Sequence, residues 1–380
     1  MARAVKIAFV GTGDVFLKYY LPEGIEKAIL DIVAICDVDY KRAETVAKFV
    51  GNGCRAYGDY NEMLDSGEVE MVVILTPPTT HYSLAMLAIE NGIHAYVEKP
   101  FCRHLTEADN LIEAANANGV KLMAAPTLML DPPNRMMREM IAEGAIGHVA
   151  FATDPAFQLG SAISAYMDRF VSQLEHSGIT ILQKPEEKTD ASWYYQKGGG
   201  PVYDLAVYSI TRMTGLLGPA KKVFAYSGIV DGSRTLLQGT EAERSIEVTE
   251  DDNTSLLLDM GASRFVHINA AWHGGATKNQ SFEVIGSRGT ITQSSVGDIV
   301  TRENSAMVHI YRNESKEWQD IPVKEDLWWI PTGVTHLADC ISRGVETDIS
   351  VEQARHVVEI MEKIYIASKT GESQEITTAF

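Results

Sequence analysis

The stretch Val5-Lys6-Ile7-Ala8-Phe9-Val10-Gly11-Thr12-Gly13 is an apolar run of strand type that breaks into a glycine turn. A helical segment follows to about Leu30, then a second apolar run over 31–36 that ends in Asp37. Strand, glycine turn, helix, strand and terminal acid is the order of a dinucleotide-binding unit. In that reading Gly11 permits the tight turn. Gly13 lets the backbone approach a pyrophosphate at the helix N-terminus, where amide groups favour anions. Thr12, Asp14, Val15 and Phe16 complete the turn, and Asp37 accepts hydrogen bonds from the adenosine ribose. Phe16 stands where a third glycine would bring helix and strand close, so the helix is expected slightly further out. Asp14 is unfavourable beside a phosphate unless it turns away as a helix cap. Asp37 followed by Val38 favours NAD, because an acid repels the 2′-phosphate of NADP; Lys41 and Arg42 keep NADP open. On the two glycines alone, a structural turn in an unrelated α/β sheet also stays open.

Outward from this unit, strands and helices alternate. Helices are expected over 40–50, 83–91 and 106–118, and buried strands over 70–75, 93–97 and 120–124. The result is a doubly wound parallel sheet. Two strand ends carry polar residues on the rim where such sheets bind ligands. One is Thr76-Pro77, leading to His81; the other is Glu98-Lys99-Pro100. A charged pair is costly to bury, so its place at a strand end makes Lys99 the first candidate for chemistry. The bland readings are a solvated loop lysine and a histidine bonded to its own loop.

Composition narrows the classes. The chain has 380 residues, 45% hydrophobic and 22% charged, enough for two domains and a sizeable core. With 33 basic against 51 acidic side chains, the net charge of −18 disfavours nucleic acid and anionic membranes. No apolar run is long enough to span a bilayer, and Met1-Ala2-Arg3-Ala4 leads into a strand without a signal-peptide pattern. Cys36, Cys54, Cys102 and Cys340 are scattered, with no metal-ligand spacing. Reduced thiols, no metal and a cytoplasmic location are the expectation.

Together, Gly11-x-Gly13, Asp37, Thr76-Pro77…His81 and Glu98-Lys99-Pro100 resemble the Gfo/Idh/MocA oxidoreductases. The likeness continues through Gly144-Ala145-Ile146-Gly147, Gly198-Gly199-Gly200 and Gly286-Ser287-Arg288-Gly289, so it spans nearly the whole chain. It implies a Rossmann domain over 1–125 and an α+β domain with a large, mostly antiparallel sheet over 126–380, whose last helices can pack back on the Rossmann domain. It also implies hydride transfer between a nicotinamide cofactor and a sugar or cyclitol. Thr76, Pro77, His81, Glu98 and Lys99 join the glycine turn and Asp37 as implied cofactor contacts. Lys99 matches the lysine that lies beside the reacting oxygen.

In the second half, extended segments are expected over 149–157, 222–229, 254–260, 265–272, 281–285 and 290–293, and helices over 135–143, 335–342 and 351–370. Alternation over 266–273 separates a polar face with His267, Asn269 and His273 from an apolar one with Val266, Ile268 and Trp272. A two-faced sheet can cover its own domain on one side and meet another subunit on the other. A homodimer or homotetramer through this sheet is the expectation, which the family resemblance also implies.

Asp204 and Tyr208 follow the glycine run at helical spacing and share one helix face. On spacing alone Tyr208 reads as a core aromatic. The family's Asp-x-Gly-x-His pattern falls here, with Ala206 for the glycine and Tyr208 for the histidine. The tyrosine form resembles glucose–fructose oxidoreductase and dihydrodiol dehydrogenase, where tyrosine is the acid–base group. The implied catalytic set is Lys99, Asp204 and Tyr208. Trp193, Tyr194 and His273 join these three as candidate substrate contacts, each balanced by a structural reading. Residues 170–185 read as an extra helical excursion without chemistry. Two rival readings are a glycoside-cleaving enzyme that oxidises its sugar transiently with bound NAD, and a dinucleotide-binding regulator without catalysis.

Overall fold

The computed structural model describes residues 3–13, 15–21, 27–157, 191–236, 243–273, 282–294, 306–323 and 331–380. Asp14 and the excursion expected over 170–185 lie outside them. The chain divides into two compact units; the first runs to residue 127 and includes 331–358.

The first unit is a layered α/β body. Its elements are β1 (Val5–Val10), β2 (Leu30–Cys36), α1 (Tyr40–Val50), β3 (Arg55–Tyr57), α2 (Tyr60–Asp65), β4 (Met71–Ile74), α3 (His81–Glu90), β5 (His94–Val97), α4 (Leu105–Asn118) and β6 (Leu122–Ala124). Six parallel strands run in the order β3-β2-β1-β4-β5-β6. The order reverses beside β1, which makes the carboxyl ends of β1, β2 and β4 the switch point where such sheets bind ligands. All four residues of β4 are fully buried, as strands covered on both faces must be. Side chains cap the helices: Asp39 accepts the Arg42 N–H and Asp59 accepts the Glu62 N–H. The segment after the glycine turn is a π-helix over Phe16–Tyr20, not a plain α-helix. Phe16 is fully buried and meets Phe9 edge-on at 5.1 Å. Helix and strand therefore meet through two rings, in place of the close backbone approach a glycine would give.

The second unit is built on one nine-stranded sheet. It holds α5 (Pro132–Ala142), β7 (Val149–Phe157), α6 (Val207–Leu217), β8 (Lys222–Gly228), β9 (Ser233–Leu236), β10 (Arg244–Glu247), β11 (Asn253–Asp259), β12 (Phe265–Ala271), β13 (Glu283–Gly286), β14 (Gly289–Ser294), β15 (Met307–Arg312) and β16 (Glu317–Pro322). Then come α7 (Thr332–Arg343), α8 (Val351–Thr370) and β17 (Gln374–Glu375). The sheet order is β16-β15-β14-β13-β7-β12-β11-β8-β17, antiparallel among these pairs except for β7 with β12. β9 and β10 form a separate hairpin. One face of the sheet carries Ala152, Ala156, Leu256, Leu258, Val266 and Ile268, all buried, with α6 packed on β7 and β12. The opposite face leaves Phe151, Tyr226, Leu257, Phe265 and Trp318 between 43% and 68% exposed. Among the described residues, the expected alternation over 266–273 holds to Ala270. It ends there because Ala271 is itself buried and the strand stops at that residue.

The last helices close both units. α7 lies in the first unit and packs on β1, β5 and β6. It comes so close that a Cβ on Gly333 would stand 2.6 Å from Thr127 and 2.7 Å from Tyr96. In the second unit, Glu359 of α8 is fully buried and holds the C-terminal segment. It accepts from Lys363 Nζ at 2.5 Å, from the Thr377 N–H and hydroxyl at 2.9 and 2.7 Å, and from the Thr378 N–H at 2.8 Å.

Candidate active site

The first unit gathers its expected residues at the carboxyl rim of the parallel sheet. Gly11 has φ +89°, and a Cβ there would stand 3.0 Å from the Leu75 carbonyl carbon, so only glycine fits. A Cβ on Gly13 would meet nothing within 4 Å, which leaves open backbone of the kind a diphosphate approaches. Thr12 is fully buried and donates to Asp37 Oδ2 from its N–H at 2.7 Å and its hydroxyl at 2.6 Å. Asp37 Oδ1 accepts the Asp39 N–H at 2.9 Å. The glycine turn thus fixes the acid, and Val15 lies at the surface beside it.

The Glu98-Lys99-Pro100 turn is held from behind. Glu98 is 7% exposed; its Oε2 accepts the Lys99 N–H at 2.6 Å and its Oε1 accepts the Tyr20 hydroxyl at 2.7 Å. Burial, then Glu98, pushes the Tyr20 hydroxyl well above its ordinary pKa, so it stays a donor. Tyr20 is a support of this turn that the sequence reading missed. Its one signal is helical spacing, one turn after Phe16. His81 is 1% exposed, with Nδ1 2.8 Å from the Pro100 carbonyl and Nε2 2.8 Å from the Thr76 carbonyl. Burial lowers its pKa, against the two carbonyls and Glu98. Both nitrogens face into the protein.

The second unit assembles the other candidates near the start of α6. Gly198-Gly199-Gly200 packs under the aromatic segment. The Gly198 N–H donates to Glu250 at 2.6 Å, and a Cβ on Gly199 would stand 2.3 Å from the Trp193 carbonyl oxygen. Trp193 stacks on Tyr194 at 3.8 Å and is 40% exposed, so part of its indole surface remains open. Tyr194 in turn meets Trp272 edge-on at 5.4 Å. Asp204 lies in a second π-helix, Val202–Ala206, which runs straight into α6. Asp204 and Tyr208 are both half-buried. The next position on that face is Arg212, held by the buried Asp154 at 2.7 Å. His273 has partners of its own. Its Nε2–H donates to Asp252 at 2.7 Å, and Arg234 donates to its Nδ1 at 2.6 Å. Asp252 is 1% exposed and also accepts the Val230 N–H. His273 therefore joins the loop after β8 to the end of β12.

All four cysteines are free, and among the described residues no cluster of His, Cys, Asp and Glu is placed to hold a metal. No described helix is long and apolar enough to cross a membrane.

Family models match both units. Residues 5–125 match the oxidoreductase family with an NAD-binding Rossmann fold, and residues 173–292 match the GFO/IDH/MocA C-terminal domain. The chain belongs to the GFO/IDH/MocA oxidoreductase family. It is 30% identical over 227 residues to an uncharacterised oxidoreductase of Rhizobium meliloti, covering 59% of this chain and 60% of that one. It is 26% identical to an NADP-dependent scyllo-inositol 2-dehydrogenase of Bacillus subtilis, over 66% of this chain and 71% of that one. Levoglucosan dehydrogenase in complex with NADH and L-sorbose has the same fold, with a TM-score of 0.76 and 20% identity, covering 98% and 99% of the two chains.

As a member of this family the protein is an NAD(P)-dependent oxidoreductase, and its first unit is the NAD-binding Rossmann domain. The residues present fit that cofactor. Gly11 makes the tight turn against Leu75, Gly13 leaves the backbone bare at the switch point, and Asp37 stands at the end of β2 with its orientation fixed by Thr12. Nicotinamide, when bound, accepts or returns the hydride.

Proposed function

We propose that the protein is a dehydrogenase or reductase that acts on a secondary alcohol or ketone of a sugar, cyclitol or related glycoside. The observation that carries this reading is the Lys99 turn, a cation at a strand end of the cofactor domain, braced by buried Glu98 and His81. The sugar and cyclitol dehydrogenases among its relatives support the substrate class. In this reading Lys99 stabilises negative charge on the reacting oxygen. Tyr208 exchanges the hydroxyl proton, and Asp204 orients it or a second hydroxyl. The open surface of Trp193 takes the apolar face of the sugar ring, with Tyr194 behind it. Asp37 selects NAD over NADP, because its carboxylate repels a 2′-phosphate.

The test is near-UV absorbance with NAD or NADP and a panel of free sugars, cyclitols and glycosides. Growth of the reduced-nicotinamide band, stronger with NAD, is the expected result. Cleavage of a glycoside without net NADH would establish the transient-oxidation reading, and NADH binding with no turnover on any member of the panel would establish the regulator.

The exposed aromatic face of the nine-stranded sheet supports a homo-oligomer. Phe151, Leu257 and Phe265 are neighbours across β7, β12 and β11 and form one apolar patch. Light scattering is expected to give a dimer or tetramer, and Phe265→Glu to shift it toward monomer. A monomer in the unaltered protein would refute this.

A further inference from the structure

We propose that His81 is the positioning residue for Lys99. Its ring stands between the carbonyl of Pro100, immediately after Lys99, and the carbonyl of Thr76 at the end of the neighbouring strand. The inference rests on the reading of Lys99 given above. It differs from a cofactor-contact role, because His81 is 1% exposed and both ring nitrogens face backbone carbonyls at 2.8 Å.

The geometry makes the ring a brace between two loops. β4 and β5 are parallel neighbours in register, so their carboxyl ends emerge side by side at Ile74 and Val97. The loops that leave them have few ladder hydrogen bonds to hold them. Glu98 holds the front of the second loop through the Lys99 N–H. His81 holds its back through the Pro100 carbonyl, from the first turn of α3. The Thr76 loop is fixed as well by the Thr80 hydroxyl, which donates to the Pro77 carbonyl at 2.9 Å and is paired with the Thr76 hydroxyl at 2.7 Å. Lys99 is thus clamped on both sides of its own Cα, and its long side chain starts from a fixed point.

The ring is also specific to this task. Each ring nitrogen faces a carbonyl at 2.8 Å; one N–H holds one of them, and a ring carrying both protons holds both. Rotation of the ring in either direction gives up a contact on one loop. Phenylalanine would fill the same volume with no donor, and glutamine would restore donors on a differently shaped side chain. Those two replacements separate filling space from holding the turn. Misplacing a reacting group by about 1 Å can cost on the order of 100-fold in rate.

The experiment measures kcat, KM and the NADH dissociation constant for His81→Phe, His81→Gln and Lys99→Met in the full-length protein, with the substrate found by the panel assay. The expected result for His81→Phe is a loss of kcat of about 100-fold, with KM and NADH affinity within about threefold of the parent. His81→Gln is expected to recover part of kcat. Should His81→Phe fail to fold, His81→Gln decides by the same split between kcat and KM. Lys99→Met is expected to abolish turnover. If Lys99→Met is inert while His81→Phe is active, the positioning role is overturned and the reading of Lys99 stands. If Lys99→Met keeps its turnover, both fall. A His81→Phe protein that loses NADH affinity instead of kcat would overturn the proposal in favour of a cofactor-loop role.

Discussion

Tyr208→Phe is expected to lower kcat by about 100- to 10,000-fold, the range for a positioned acid–base group. The reaction must move a hydroxyl proton as the hydride leaves. A phenol titrates near ~10 when unperturbed, so it needs a neighbour that favours its charged form. Phenylalanine keeps the ring of a half-buried residue on α6 and removes only the oxygen. NADH binding is expected to survive, because the glycine turn and Asp37 belong to the first unit alone. Single-turnover kinetics alongside fluorescence titration of NADH would show both. A variant with unchanged kcat would remove Tyr208 from the reaction and leave Asp204 to be tested next.

Glu359→Ala is expected to lower stability by about 3 kcal/mol. The carboxylate is fully buried and accepts from Lys363, Thr377 and Thr378, so its removal leaves a partly buried cation with only the neutral Glu375 carbonyl and takes the partner from the Thr378 N–H. Burial alone would raise its pKa, yet the Lys363 ammonium and the Thr378 and Thr377 donors pull it down to about 2. The sign follows. A carboxyl depressed in the folded state contributes stability above its unfolded value of 4.5, and that contribution is lost as pH falls toward 2. The gap in melting temperature between the parent and Glu359→Gln should therefore be widest at neutral pH and close as the solution is acidified below 4.5. A gap that stays constant across that window would show that the charge of Glu359 is not what secures the C-terminal segment.

The parallel, doubly wound sheet was legible because glycine, acid and apolar runs are local signals; its strand order was not read. The helix over 351–370 and the strand over 149–157 matched the periodic pattern to the residue. β16 was not legible, since Glu317–Pro322 is exposed at every position but one and carries no apolar alternation. β9 and β10 failed for the same reason. At the site, the named motif residues were legible and their supports were not. Tyr20 and Glu98 are 78 residues apart, and nothing local in either links them. Asp252, His273 and Arg234 likewise meet only through the fold of β9, β11 and β12. The π-turns were invisible because a slip from one helical hydrogen-bond pattern to another leaves the apolar period almost unchanged over five residues.

That slip bears on how Asp204 and Tyr208 are set against each other. A π-turn is an α-helix carrying one surplus residue, and each residue of an α-helix advances the side chain by about 100° around the axis. The pair straddles the junction, with Asp204 in the wider turn and Tyr208 in the α-helix that follows. The two side chains are therefore not separated by four even steps of one helix, and the angle between carboxylate and phenol is set by the junction itself. A change that restored an α pattern over Val202–Ala206 would turn Asp204 relative to Tyr208 without altering either letter.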